Sequence, residues 1–146
     1  MPDRTVHPQS HPSAPPRRLR LNVTSDPANL AIVRHACEDF CVRCGLGAEA
    51  AGEVGLCVNE AMANVTRHAY GGATDQPIVI EGWFEGDAVH ISMRDWGSGQ
   101  VPRLRSKHDP MIPGGLGMVC LRELLDDISY VPQPDGMLLT MTRRKA

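Results

Sequence analysis

The sequence predicts an α+β sandwich, with helices packed on one face of a sheet, and three observations lead there. Apolar residues alternate with polar ones in short runs around Leu21, Ile80, Ile91, Ile128 and Leu139, the period of half-buried strands. Two stretches after Asp26 and Gly47 instead repeat apolar residues every three or four positions, the period of helices. The resulting order is strand, two helices, two strands, loop, helix, two strands, with no internal repeat, which suits helices gathered on one side of a sheet.

The first strand is read from Leu19, Leu21 and Val23 alternating against Arg20 and Asn22. Asp26 then serves as N-cap, with Pro27 at the first helical position, where a missing N–H costs nothing. Leu30, Val33, Cys37 and Phe40 mark the buried stripe of the first helix, and Gly45 and Gly47 end it. A second helix is expected over residues 48–68. Ile78, Ile80 and Phe84, then Val89, Ile91 and Met93, flank Glu85-Gly86-Asp87, a hairpin signal that makes this strand pair antiparallel. Residues 100–113 carry Pro, Arg, Lys, His and Ser without periodicity and are expected to form an exposed loop. A third helix over residues 116–125 and a last strand pair, residues 128–131 and 137–143 around Pro134-Asp135-Gly136, complete the chain.

With 146 residues, the chain has room for one domain. Residues 1–17, rich in Pro, Ser, His and Arg, read as a disordered tail, which leaves residues 18–146 as that domain. The net charge of -2 argues against nucleic acid as a direct partner, since phosphate binding calls for a basic excess. No apolar run approaches the roughly 20 residues needed to cross a bilayer, and the N-terminus lacks the apolar segment of a secretory signal. The expected compartment is the cytoplasm.

Cys37, Cys41 and Cys44 have the C-x3-C-x2-C spacing of the cluster-binding loop of radical S-adenosylmethionine enzymes. That reading requires a loop after a strand within a barrel of about 200 residues or more. Here the spacing falls inside a helical pattern and puts all three thiols on one side of it, so packing is the expected role.

Three motifs carry chemistry. Glu60, Asn64 and His68 recur every four residues and form a row beside the Val54, Val58, Ala61 and Val65 stripe. That pattern fits a cleft-facing row and a solvated helix edge equally well. Asp95-Trp96-Gly97-Ser98-Gly99 places a carboxylate at a strand end with two glycines after it. An ionised Asp only accepts hydrogen bonds, which suits the donating amine of adenine, and glycines let backbone approach a ligand; turns use the same residues. Gly114-Gly115-Leu116-Gly117-Met118 leads into a helix, where exposed N–H groups and the helix dipole favour phosphate oxygens. A hinge has the same composition.

In this order, Glu60 through Asn64, Asp95 through Gly99 and Gly115 through Gly117 resemble the three boxes of the GHKL ATPases, a superfamily that includes gyrase, heat-shock protein 90, histidine kinases and MutL. Within it the chain is most similar to the bacterial anti-sigma-factor serine kinases. Those carry a stretch like Val58-Asn59-Glu60-Ala61-Met62-Ala63-Asn64-Val65-Thr66-Arg67-His68-Ala69-Tyr70 and an ending like Leu124-Leu125-Asp126-Asp127 before two strands.

The resemblance implies a Bergerat-type fold with a mixed, mostly antiparallel sheet, and ATP and Mg²⁺ as cofactors. By it, Asn64 offers its carbonyl oxygen to Mg²⁺ and Glu60 is the catalytic general base. Asp95 reads adenine, Gly97 and Gly99 shape the pocket wall, and Gly115, Leu116, Gly117 and Met118 open the phosphate-binding helix. Residues 100–113 become a lid, whose Arg103, Arg105 and Lys107 are either phosphate clamps or solvated charges. The implied partners are a small antagonist protein as phosphorylation substrate, a sigma factor or similar regulator that is sequestered, and a second copy of the chain. Relatives often show Gly-Thr entering the last strand, where this chain has Gly136-Met137. The alternative is an ATP-sensing module that regulates a partner without phosphorylating it.

Overall fold

The structure, a computed structural model, describes residues 18–98 and 121–145. The expected tail at residues 1–17, the loop at residues 100–113 and residues 116–120 of the third helix lie outside the described residues.

Strand β1 (Arg18–Thr24) turns its odd-numbered leucines and Val23 toward the core, while Arg18, Arg20, Asn22 and Thr24 do not join it. Asp26 caps the segment after β1, its carboxylate accepting from the Ala28 N–H at 2.9 Å. The first turn beyond the cap is a 3₁₀ turn, Pro27–Asn29, which passes into helix α1 (Leu30–Arg43). Val33, Cys37, Phe40 and Cys41 are its buried face. Gly45, at φ +106°, reverses the chain where a side chain would be strained.

Helix α2 (Ala48–Asn64) packs along α1. Their approach is close at Gly55, where a Cβ would lie 2.3 Å from the Glu38 carboxylate. The expected helix to residue 68 needs one correction. Regular α geometry stops at Asn64, and Val65–Ala69 form a π-helical turn, closed by a bond from the Tyr70 N–H to the Val65 carbonyl at 3.0 Å. The Thr66 hydroxyl bonds back to the Met62 carbonyl at 3.2 Å and reaches the Ser25 carbonyl at 3.3 Å. Back-bonding of this kind bends helices, and the Ser25 contact draws this turn toward the end of β1.

Strands β2 (Pro77–Glu85) and β3 (Ala88–Asp95) form the expected hairpin, with Gly86 at φ +73° in its turn. Strands β4 (Asp127–Gln133) and β5 (Gly136–Arg144) form the second. The sheet order is β1-β2-β3-β5-β4, and all four pairings are antiparallel. Pro132 sits in β4, an edge strand, where its lack of an N–H leaves no inner ladder bond unmade. Residues 121–124 are helical, the described part of the third helix.

One core joins the helices to the sheet: Phe40, Cys57, Val58 and Met62 belong to the same buried cluster as Ile78, Ile80, Ile91, Met93, Leu139 and Met141. Gly82 leaves room for the Phe40 ring, which would stand 3.0 Å from an added Cβ. Cys37, Cys41, Cys44 and Cys57 are all buried in this cluster. Burial pushes the Cys37 and Cys41 thiols up to about 12, so they stay protonated and act as packing groups.

Candidate functional site

Glu60 and Asn64 lie one turn apart on α2 and share a side of it. Glu60 is half-buried, whereas Asn64 is only 5% exposed. The Asn64 carbonyl oxygen accepts from Arg67 Nη2 at 2.6 Å. A carbonyl oxygen keeps a second lone pair, so the guanidinium does not exhaust it. One hard oxygen from the protein suits Mg²⁺, which retains waters and binds chiefly through substrate phosphates. The donor set therefore fits that ion.

His68 does not continue the row. It falls in the π turn, whose i→i+5 bonding sets later residues off the α-helical register, and it is exposed. It instead lines a cavity of about 370 Å³ together with Tyr70, Gln76, Trp96, Gly97 and Ser98. Among the described residues, Glu60, Asn64 and Asp95 are not part of that lining.

Asp95 ends β3 and is 2% exposed. Its Oδ1 accepts from the Gly97 N–H at 2.9 Å, so the carboxylate folds over the turn at the strand end. Burial raises this carboxyl above the ordinary value, while the Gly97 N–H, the Arg94 guanidinium and the Met137 N–H pull it back. Met137 stands directly across the ladder from Asp95. The Gly-Met departure seen in the sequence therefore falls beside the carboxylate expected to read adenine.

Arg94 braces this strand end from one side. It donates to the Asp95 carbonyl, pairs with Asp135 Oδ1 at 2.6 Å and lies 4.5 Å from the centre of the Trp96 ring. Tyr70 braces it from the other, accepting from the Trp96 N–H at 2.8 Å and donating to the Pro77 carbonyl at 2.5 Å. The helix end itself touches the turn: a Cβ on Gly97 would lie 2.4 Å from the Ala69 carbonyl oxygen. The structure thus brings the continuation of the Glu60–Asn64 helix against the Asp95–Gly97 turn. Gly99, Gly115, Leu116, Gly117 and Met118 lie outside the described residues.

Sequence reading missed Tyr70 and Arg94 as site residues. Tyr70 closes the stretch from Val58 that carries the resemblance, which was a signal of place but not of role. Arg94 had no signal beyond its position next to Asp95.

Comparison with known proteins bears on the family and the fold. The histidine kinase-like ATPase domain family matches residues 23–143. The serine-protein kinase RsbW of Listeria monocytogenes serotype 4a (strain HCC23) is 24% identical over 136 residues, covering 86% of this chain and 86% of its own. The protein of the same name from Bacillus cereus (strain AH187) is 25% identical over 136 residues, covering 86% of this chain and 84% of its own. Among solved structures, the histidine kinase domain from the Erythrobacter litoralis EL346 blue-light activated histidine kinase shares the fold, with a TM-score of 0.54 at 17% identity. That match covers 84% of this chain and 62% of the other, so this chain spans less than two thirds of that structure. The family match runs from β1 to β5, through nearly all of the described fold, and the chain belongs to the histidine kinase-like ATPase domain family.

Proposed function

We propose that the chain is a serine/threonine protein kinase of a partner-switching system. It would use Mg-ATP to phosphorylate a small antagonist protein and sequester a sigma factor or similar regulator. The observation that carries this reading is the Glu60/Asn64 pair, one turn apart on α2, in a chain that aligns along most of its length with proteins named serine-protein kinases.

The roles follow from side-chain chemistry. Asp95, when ionised, accepts from the adenine amine, while its Oδ1 stays tied to the Gly97 N–H. Asn64 would hold Mg²⁺ through Oδ1, where the cation's charge offsets that of the phosphates. Glu60 accepts the proton of the attacking Ser or Thr hydroxyl as that oxygen bonds the γ-phosphorus and the bond to the β-phosphate oxygen breaks. ADP and a phosphorylated antagonist result. Residues 115–118 are assigned to the phosphates through their backbone N–H groups.

Purified protein is expected to transfer radiolabel from γ-labelled ATP to its antagonist. Glu60→Ala is expected to abolish transfer while still binding nucleotide. Undiminished transfer by that variant would remove Glu60 from the mechanism. A second reading, an ATP-sensing module without transfer, draws on Arg67 already engaging Asn64 Oδ1. It predicts nucleotide-dependent partner binding with no phosphorylated product.

A further inference from the structure

The Tyr70 hydroxyl has one proton to give and lone pairs to accept with, and it uses both in bridging three elements. It donates to the Pro77 carbonyl at the start of β2 and accepts from the Trp96 N–H just past the end of β3. The Trp96 amide lies beyond the last ladder pair of β3, which is at Asp95. Tyr70 therefore takes the place of a strand partner for that amide. The next amide, that of Gly97, donates to Asp95 Oδ1. A line of bonds runs from the phenol to the Trp96 N–H, through one peptide unit to the Gly97 N–H, and from there to the carboxylate.

The π turn aims Tyr70 along this line. An uninterrupted α-helix would rotate the residue by about 100° for each position gained. The bond from the Tyr70 N–H to the Val65 carbonyl fixes the wider turn instead. The same turn presses the Ala69 carbonyl against Gly97, which only a residue without Cβ permits. Ser25 secures the loop beyond: its hydroxyl donates to the Ala73 carbonyl at 2.6 Å and accepts from the Gln76 N–H at 3.2 Å. Tyr70 is thus held at both flanks.

We propose that Tyr70 is a positioning residue for nucleobase recognition, its hydroxyl setting the Asp95-Trp96-Gly97 turn so that the carboxylate faces the base. This rests on the assignment of Asp95 to adenine under the proposed function. Tyr70 acts through the turn and makes no contact with the base.

The test compares ATP with inosine triphosphate, which carries a carbonyl where adenine has its amine. Binding is measured by calorimetry on the full chain, wild type and Tyr70→Phe. The wild type is expected to prefer ATP. Tyr70→Phe is expected to lose about tenfold in ATP affinity, about 1.4 kcal/mol, with inosine triphosphate changed less than about twofold by the same scale. In an Asp95→Asn background, Tyr70→Phe is expected to change neither. Equal weakening of both nucleotides would show a merely structural role and overturn the proposal, as would no change in either. A wild type that binds ATP without preferring it would overturn the Asp95 assignment and this inference with it. A wild type that binds no nucleotide would sink the kinase reading itself. Amide exchange in the wild type supplies an arm that needs no variant: a Trp96 amide exchanging at the rate of an open chain overturns the proposal even if Tyr70→Phe fails to fold.

Discussion

Arg67 Nη2 donates to Asn64 Oδ1 at 2.6 Å, three residues along the same helix. The oxygen proposed to hold Mg²⁺ is therefore already satisfied by a cation from its own sequence. A buried acceptor left without a partner costs about 1–3 kcal/mol. Arg67→Ala is expected to lower the unfolding free energy by that amount, read from urea melts without nucleotide. The deficit is expected to shrink in saturating Mg-ATP, where a second cation takes over the oxygen. An equal deficit in both conditions would separate Arg67 from the metal site.

Asp95 links the site to pH. Burial raises its carboxyl above the ordinary 3.8 in the fold. Between those two values the folded chain holds a proton that the unfolded chain releases. The group's favourable contribution is thus complete below 3.8 and disappears as pH rises through the raised value. Near neutrality a buried, ionised Asp95 opposes folding. Asp95→Asn is therefore expected to melt at a higher temperature than wild type at pH 7, with the gap closing below 3.8. It is also expected to lose ATP, because an amide offers the adenine amine a weaker acceptor. A lower melting temperature at pH 7 would contradict the sign.

How far this site was readable depends on where each cause lies. Glu60 and Asn64 were legible because four residues on one helix fix their common side. Asp95 was legible because the alternation Val89, Ile91, Met93 runs straight to it. The β2–β3 hairpin was legible from Gly86, whose φ of +73° suits a residue without Cβ. The π turn was not, because its causes are tertiary: Thr66 reaches the Ser25 carbonyl 41 residues away. The sheet order was equally hidden. Placing β5 between β3 and β4 depends on pairing Asp95 with Met137, which no local pattern encodes. Tyr70 owes its role to Trp96, 26 residues on, and a tyrosine in a motif does not announce its partner.

Gly97 is read in the sequence as a pocket glycine, and the structure supplies a second reason for it. A methyl group there would meet the Ala69 carbonyl oxygen at 2.4 Å, against backbone that the π turn holds in place. Gly97→Ala must shift either the turn or the helix end. It is expected to weaken ATP binding at least tenfold and to cost about 1–3 kcal/mol in stability, the range for overpacking. Calorimetric titration together with thermal melts reads both. Wild-type affinity in that variant would mean that the turn moves freely and does not locate Asp95.

Met137 offers a gain-of-function test. It is 7% exposed and directly opposite Asp95 in the β3–β5 ladder, where side chains of facing residues stand about 4.5–5.5 Å apart at Cβ. A threonine hydroxyl at this position comes within reach of the carboxylate and donates to its ionised form, which lowers its pKa. In the wild type the Met137 backbone N–H already pulls in that direction against burial, and a side-chain donor adds to it. Met137→Thr is therefore expected to move the acid limb of ATP binding to lower pH, because the hydroxyl stabilises the ionised carboxylate. The cost is lost apolar contact, about 1 kcal/mol in unfolding free energy. Calorimetric titrations from acid to neutral pH measure the shift. An acid limb left in place would mean that the hydroxyl points away from Asp95, and that the methionine here is neutral for nucleotide recognition.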